Sequence, residues 1–190
     1  SNYTFAPVIT GSGAGTRSVR VEAGTTILTA ASPYTGPTII DGGTLLVNGS
    51  IAGSAVTVNA LGTLGGNGTV GNTMINGGTL APGNSIGVLT VNGSLSFASS
   101  YMLEISPASA DRVNVTGTAT LSGAKVNASF AAGSYVAKQY TIVNAGGGIS
   151  GTFGSVVNSN LPSGFKSSLS YDANNAYLDL ALAFIAPPST

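Results

Sequence analysis

The sequence predicts an all-β chain in which short strands stack as a solenoid and an antiparallel hairpin unit closes the C-terminal end. Three features carry that expectation. They are runs of β-formers closed by small-residue turns, near-copies of one short unit at a regular interval, and a change of pattern in the last third. No stretch shows helical periodicity, and Gly or Asn breaks the chain at short intervals.

The strand runs follow one another along the chain. Thr44-Leu45-Leu46-Val47 precedes Asn48-Gly49, and Ala55-Val56-Thr57-Val58 precedes Asn59. Val88-Leu89-Thr90-Val91 precedes Asn92-Gly93, and Val113-Asn114-Val115 precedes Thr116-Gly117. The units Gly43-Thr44-Leu45, Gly62-Thr63-Leu64 and Gly78-Thr79-Leu80 are copies whose starts lie about 16 to 19 residues apart. Val47-Asn48-Gly49-Ser50-Ile51 returns as Val91-Asn92-Gly93-Ser94-Leu95. A turn of this length cannot bury its apolar face alone, so it stacks on its neighbours at about 4.8 Å per rung. A β-sandwich also gives short strands, and single Asn-Gly steps favour hairpins. The copied units favour the solenoid.

The last third follows another rule. Phe165, Ser167, Leu169 and Tyr171 alternate with Lys166, Ser168, Ser170 and Asp172. Beyond Ala173-Asn174-Asn175, the residues Ala176, Leu178, Leu180 and Leu182 alternate with Tyr177, Asp179 and Ala181. Two period-two runs about a short Asp/Asn turn predict an antiparallel hairpin. Aromatic residues gather from Phe130 onward, at Tyr135, Tyr140, Phe153, Phe165, Tyr171 and Tyr177. The expected organisation is a β-helix stem over 1–95, with repeats clearest over 36–95, then a capping unit over 96–183. Such a cap protects the open edge that every solenoid leaves.

Composition excludes several classes of function. Only 6% of the 190 residues are charged, against roughly 25% in an ordinary globular domain, and hydrophobic residues reach 43%, too many for a disordered chain. The six basic and six acidic residues are scattered, so no footprint for nucleic acid or anionic lipid is expected. The apolar run from Ala181 to Ala186 is too short to span a bilayer. Cys and His are both absent, which removes disulfides, thiolate metal sites and the commonest general base. No catalytic residue, cofactor or metal is expected.

Two catalytic look-alikes fail on missing partners. Gly83-Asn84-Ser85-Ile86-Gly87 fits the G-x-S-x-G nucleophile elbow, but no helix signal follows Ser85 and no His exists to serve it. Gly66-Asn67-Gly68-Thr69-Val70-Gly71 fits G-x-G-x-x-G, yet lacks the following helix and the acidic residue of a dinucleotide site. The stretch 65–68 also begins like a calcium-binding repeat, with Val70 where the ligand Asp belongs. The region between Asp41 and Glu104 carries no acid, Lys or Arg. Asp111-Arg112 reads as a local surface pair.

The stretch Ile75-Asn76-Gly77-Gly78-Thr79-Leu80-Ala81-Pro82-Gly83-Asn84-Ser85-Ile86-Gly87-Val88-Leu89-Thr90-Val91-Asn92-Gly93 resembles the passenger-associated repeat of Gram-negative autotransporters (type V secretion). Glu104, Ala110-Asp111-Arg112-Val113-Asn114-Val115-Thr116-Gly117, Tyr140-Thr141-Ile142-Val143, Gly151-Thr152-Phe153 and Leu169-Ser170-Tyr171-Asp172 through Leu178-Asp179-Leu180 continue the likeness. It covers roughly residues 36–183. The resemblance implies a right-handed parallel β-helix ending in an autochaperone, or junction, module. It also implies a C-terminal outer-membrane β-barrel as partner, with Ala186-Pro187-Pro188-Ser189-Thr190 opening the linker to it over 184–190. The expected place is the cell surface or the medium, reached through the outer membrane.

The function so implied is a stem and intramolecular autochaperone that nucleates β-helix folding from the C-terminus. The folding-nucleus candidates are Tyr140, Phe153, Phe165, Leu169, Tyr171, Leu178 and Leu180. A second reading is an adhesin-type binding module that uses the solenoid face for host-surface or self association. A third, a carbohydrate-active β-helix, requires acids clustered in one groove.

Overall fold

The computed structural model describes residues 2–11 and 18–184. Among them there is no helix, and the strands wind as a parallel β-helix. The first turns hold β1 (Asn2–Phe5), β2 (Val19–Val21), β3 (Thr25–Leu28) and β4 (Thr38–Ile40). Complete turns follow, each with one strand on three sheets. They are β5 (Gly43–Val47), β6 (Ser50–Ile51) and β7 (Val56–Asn59), then β8 (Gly62–Gly66), β9 (Thr69–Val70) and β10 (Thr73–Asn76). Next come β11 (Thr79–Pro82), β12 (Val88–Val91) and β13 (Leu95–Phe97), then β14 (Ser100–Ile105), β15 (Arg112–Val115) and β16 (Ala119–Thr120). The last complete turn holds β17 (Lys125–Phe130), β18 (Lys138–Ala145) and β19 (Ile149–Ser150). After β20 (Ser155–Ser159) the chain ends its regular structure as a hairpin, β21 (Phe165–Tyr171) and β22 (Asn175–Leu182).

Sheet A runs β1-β3-β5-β8-β11-β14-β17-β20, and sheet B runs β2-β4-β7-β10-β13-β16-β19. Sheet C runs β6-β9-β12-β15-β18-β22-β21. Every strand pair is parallel except the two that β22 makes with β18 and β21. The sandwich alternative is thereby excluded, and the antiparallel end is where the sequence placed it.

Register explains the repeats. The three Gly-Thr-Leu copies stack directly, Gly43 on Gly62, Thr44 on Thr63 and Thr63 on Thr79, so Leu45, Leu64 and Leu80 form one buried column. Val21, Ile40, Val58, Ile75 and Phe97 form the matching column of sheet B. Ile51, Val70, Val91 and Val115 form that of sheet C. The second copied unit behaves differently. Val47 to Ile51 turns the corner from sheet A to sheet C, whereas Val91 to Leu95 turns the corner from sheet C to sheet B. An apolar-Asn-Gly-Ser-apolar string suits any corner that must bury both ends and expose the middle, so this copy reports local geometry rather than register.

The parallel ladder crosses residue 95 unbroken, because β14 pairs with β11 and β17 as earlier strands do. What changes is coil length, from about 19 residues between the stacked Thr25 and Thr44 to about 30 between Lys125 and Ser155. In the connection from β3 to β4, the buried Tyr34 hydroxyl lies 2.6 Å from that of Thr38, and Thr38 lies 2.7 Å from Ser54 Oγ, which donates to Gly36 O. The hydroxyls thus satisfy one another inside the coil. At the corner after sheet B a ladder forms: Asn76 Nδ2 donates to Asn59 Oδ1 (3.1 Å) and Asn59 Nδ2 to Asp41 Oδ1 (2.7 Å). Arg20 Nε closes it on Asp41 Oδ2.

At one corner Gly66 and Gly83 exchange both N–H···O bonds, at 3.0 and 2.9 Å. Gly66 holds φ +101° there, and a Cβ would strike the backbone of Val47. By contrast Leu61 holds φ +74° while 89% exposed, a conformation that costs an L-residue about 1–2 kcal/mol. Gly66→Ala is expected to lower stability by more than about 1 kcal/mol, whereas Leu61→Gly leaves it unchanged or raises it by up to about 1 kcal/mol. Urea unfolding followed by far-UV circular dichroism checks both signs.

Candidate functional site: the C-terminal cap and its aromatic core

The cap is built on β18, which pairs with the parallel β15 on one edge and with the antiparallel β22 on the other. Asp172 makes the turn that lets β21 and β22 pair. Its Oδ1 accepts the backbone N–H groups of Asn174 and Asn175 at 2.8 Å each, and Oδ2 accepts the Tyr177 hydroxyl at 2.6 Å. That hydroxyl, with the backbone donors, holds the Asp172 carboxyl down at about 2. The same bond raises the phenol of Tyr177.

The hairpin is tied to the last coil by side chains. Phe153 N donates to the Tyr171 hydroxyl (3.0 Å), Asn174 Nδ2 to Ala145 O (2.7 Å), and Ser167 Oγ to Asn158 Oδ1 (2.9 Å). Ala176, Leu178 and Leu180 are buried, with Leu169 opposite Leu178 and Ser167 opposite Leu180. Leu182, on the same predicted face, is 48% exposed because the strand has by then run past the core.

The sequence-predicted nucleus residues fall into separate places. Tyr140, Phe153, Leu178 and Leu180 are buried, while Phe165, Leu169 and Tyr171 are partly buried against the same core. Phe153 packs edge-on to Phe97 (5.4 Å between ring centres) and stacks on Tyr101 (5.7 Å), and Phe97 lies 5.1 Å from Tyr101. Tyr140 lies outside this trio, with Lys138 Nζ 4.9 Å over its ring. Phe97 and Tyr101 were missed by sequence reasoning. The signal was present: Tyr101 continues the Leu45, Leu64, Leu80 column and Phe97 continues that of Ile75. The Tyr101 hydroxyl donates to Ile142 O at 2.6 Å, joining β14 to β18 inside the core.

Asp111 is a correction. The surface pair expected at Asp111-Arg112 is not one, since Asp111 is only 2% exposed and turns away from Arg112. Its Oδ1 accepts Gly87 N (2.8 Å) and its Oδ2 accepts Glu104 N (2.7 Å), so one carboxylate joins the 83–87 loop to β14. Burial pushes this carboxyl up to about 6 despite those two donors. It borders a groove of about 450 Å³ on sheet A, lined also by Thr44, Thr63, Ala81, Met102 and Glu104. In the G-x-S-x-G look-alike, Asn84 Nδ2 donates to Asn48 Oδ1 at 2.9 Å, tying two corners together. Among the described residues no group of three or more His, Cys, Asp or Glu could hold a metal. No helix there is long and apolar enough to cross a membrane.

Residues 22–47 match the family described as passenger-associated transport repeat. The match supports an autotransporter passenger. No curated protein matches the chain. The matched segment holds β3, β4 and β5, with Tyr34 and the first Gly-Thr-Leu copy, whereas the sequence likeness to that repeat was placed at 75–93. The two segments share the Gly-Gly-Thr-Leu string at 42–45 and 77–80, whose leucines lie in one column of sheet A. A passenger of this family is a secreted or surface-exposed protein. The linker expected over 184–190 lies, beyond Phe184, outside the described residues.

The two perturbed carboxylates give opposite pH dependences. Asp111, raised in the folded state, binds its proton more tightly folded than unfolded between about pH 4 and 6, so its contribution is full below pH 4 and lost as pH rises through 6. Asp172, lowered, contributes above pH 4 and loses that contribution as pH falls through about 2. The urea midpoint measured from pH 2 to 8 is expected to peak near pH 4. Asp111→Asn flattens the limb above the peak and Asp172→Asn the limb below it.

Proposed function

We propose that the chain is a stem and intramolecular autochaperone, in which residues from about 96 to 183 nucleate folding of the preceding coils. The observation that carries this is the antiparallel hairpin that closes the last turns of the stack. At the C-terminal end a hairpin covers the core with buried Ala176, Leu178 and Leu180, and the largest buried side chains, Tyr101 and Phe97, lie beneath the last turns.

A first parallel rung must close a loop of about 20 residues before any hydrogen bond repays the lost entropy, whereas later rungs add to a formed edge. An antiparallel hairpin needs only a short turn, so the cap forms without a template. Export through a Gram-negative outer membrane by a C-terminal β-barrel, with the C-terminus emerging first, gives such a nucleus its use. Each rung added outside then hinders return of the chain. The proposed role involves no catalytic step, and the proposed partner is that barrel.

Deleting residues 165–182 is expected to lower the unfolding midpoint and to slow refolding of the remaining coils by tenfold or more, read by stopped-flow circular dichroism. Phe153→Ala is expected to cost about 3–5 kcal/mol and to slow refolding, while Val58→Ala mainly speeds unfolding. Unchanged refolding rates in both cap variants would falsify the nucleus.

A further inference from the structure

A second groove, of about 320 Å³, lies on sheet C between the loop at 108–110 and the strands β12, β15 and β18. Two of the chain's six basic residues, Arg112 and Lys138, line it, and no carboxylate does. Ser109, Gln139, Tyr140 and Thr141 supply its other polar groups.

The cations are not used alike. Lys138 Nζ donates to Ala108 O at 2.5 Å and to Pro107 O at 3.5 Å, so it pins the loop and keeps one N–H direction open. Arg112 has no such employment. Its Nε is sealed from solvent and lacks a hydrogen-bond partner, and the ion pairs found among the described residues both belong to Arg20. The adjacent Asp111 is held by Gly87 and Glu104, and Asp179, on the strand beside β18, accepts the Gln139 amide at 2.9 Å. With Nε sealed, the two Nη groups of the guanidinium remain as charged donors to meet an acceptor in the groove that Arg112 lines. The fork of a guanidinium fits the oxygen spacing of carboxylate, sulfate or phosphate.

We propose that this groove binds an oxyanion group, gripped by Arg112 and supported by Lys138. The chemistry is shared by a free inorganic anion and by an acidic group on a sugar, and the test separates the two. The groove shares Tyr140 with the folding-nucleus candidates, but the two cations that would grip the anion, Arg112 and Lys138, belong neither to the Phe97, Tyr101 and Phe153 cluster nor to the hairpin.

The test is a titration of the ¹⁵N-labelled chain at pH 7 and constant ionic strength, with inorganic phosphate, sulfate, glucuronate and chloride in separate arms. Saturable shifts confined to residues 108–112 and 138–141 are expected with at least one oxyanion and not with chloride. Saturation by glucuronate and not by phosphate or sulfate identifies an acidic sugar, and the reverse identifies an inorganic anion or its ester. Arg112→Gln is expected to weaken binding about tenfold or more, equivalent to about 1.4 kcal/mol, with the rest of the spectrum unchanged. Arg112→Lys, which keeps the charge and loses the fork, is the second variant and is expected to fall between. Shifts that never saturate, that chloride reproduces, or that survive in both variants overturn the proposal.

Discussion

In-register parallel stacking is the constraint on which the rest of this structure depends. Inside each sheet a strand has its N–H and C=O groups met by the turn before and the turn after, so no turn is complete alone. A slip of one residue would turn Leu45, Leu64 and Leu80 out of the core and bring Thr44, Thr63 and Thr79 in. The small residues at the corners serve the same register. At Gly66 the turn lies so close to the backbone of Val47 in the turn before that no side chain fits.

The stack is not uniform along its axis. The leucine column of sheet A gives way to Tyr101 before it continues to Val126, and the aliphatic column of sheet B reaches Phe97, as the coil lengthens from about 19 to about 30 residues. A longer circuit encloses a wider interior, and close packing then demands larger side chains. Phe153 packs against both rings and its backbone N–H donates to the Tyr171 hydroxyl, so the widened interior and the hairpin that closes it are one packing unit. Widening and closure therefore come together, at the end where strand pairing turns antiparallel.

The fold was legible because register imposes itself on sequence. Direct stacking of Gly43, Gly62 and Gly78 needs the same residue type at each turn, and the period-two pattern from Phe165 to Leu182 shows a strand pair half exposed to solvent. The site was less legible. Asp111 and Gly87 are far apart in sequence, and nothing local marks a carboxylate that will turn inward to two backbone N–H groups. Phe97 and Tyr101 were hidden for the opposite reason: they continue ordinary columns and look like repeat residues that happen to be large. The copied Val-Asn-Gly-Ser unit misled by similarity, since two different corners ask for the same local string.

The scarcity of charge follows from the same stacking. Like charges repeated at about 4.8 Å along a ladder repel by about 0.9 kcal/mol per neighbouring pair even in water, and by more where solvent is thinned. An amide escapes this, because it can accept from one neighbour and donate to the other, as Asn59 does between Asn76 and Asp41. A carboxylate only accepts, so Asp41 can terminate that ladder but not continue it, and it requires Arg20 on its far side. Between Asp41 and Glu104, where the turns are most regular, no charge occurs at all. Charges return where regularity ends, at the loop held by Asp111, the turn made by Asp172 and the loop pinned by Lys138. In this chain the most regular turns are the ones without charge.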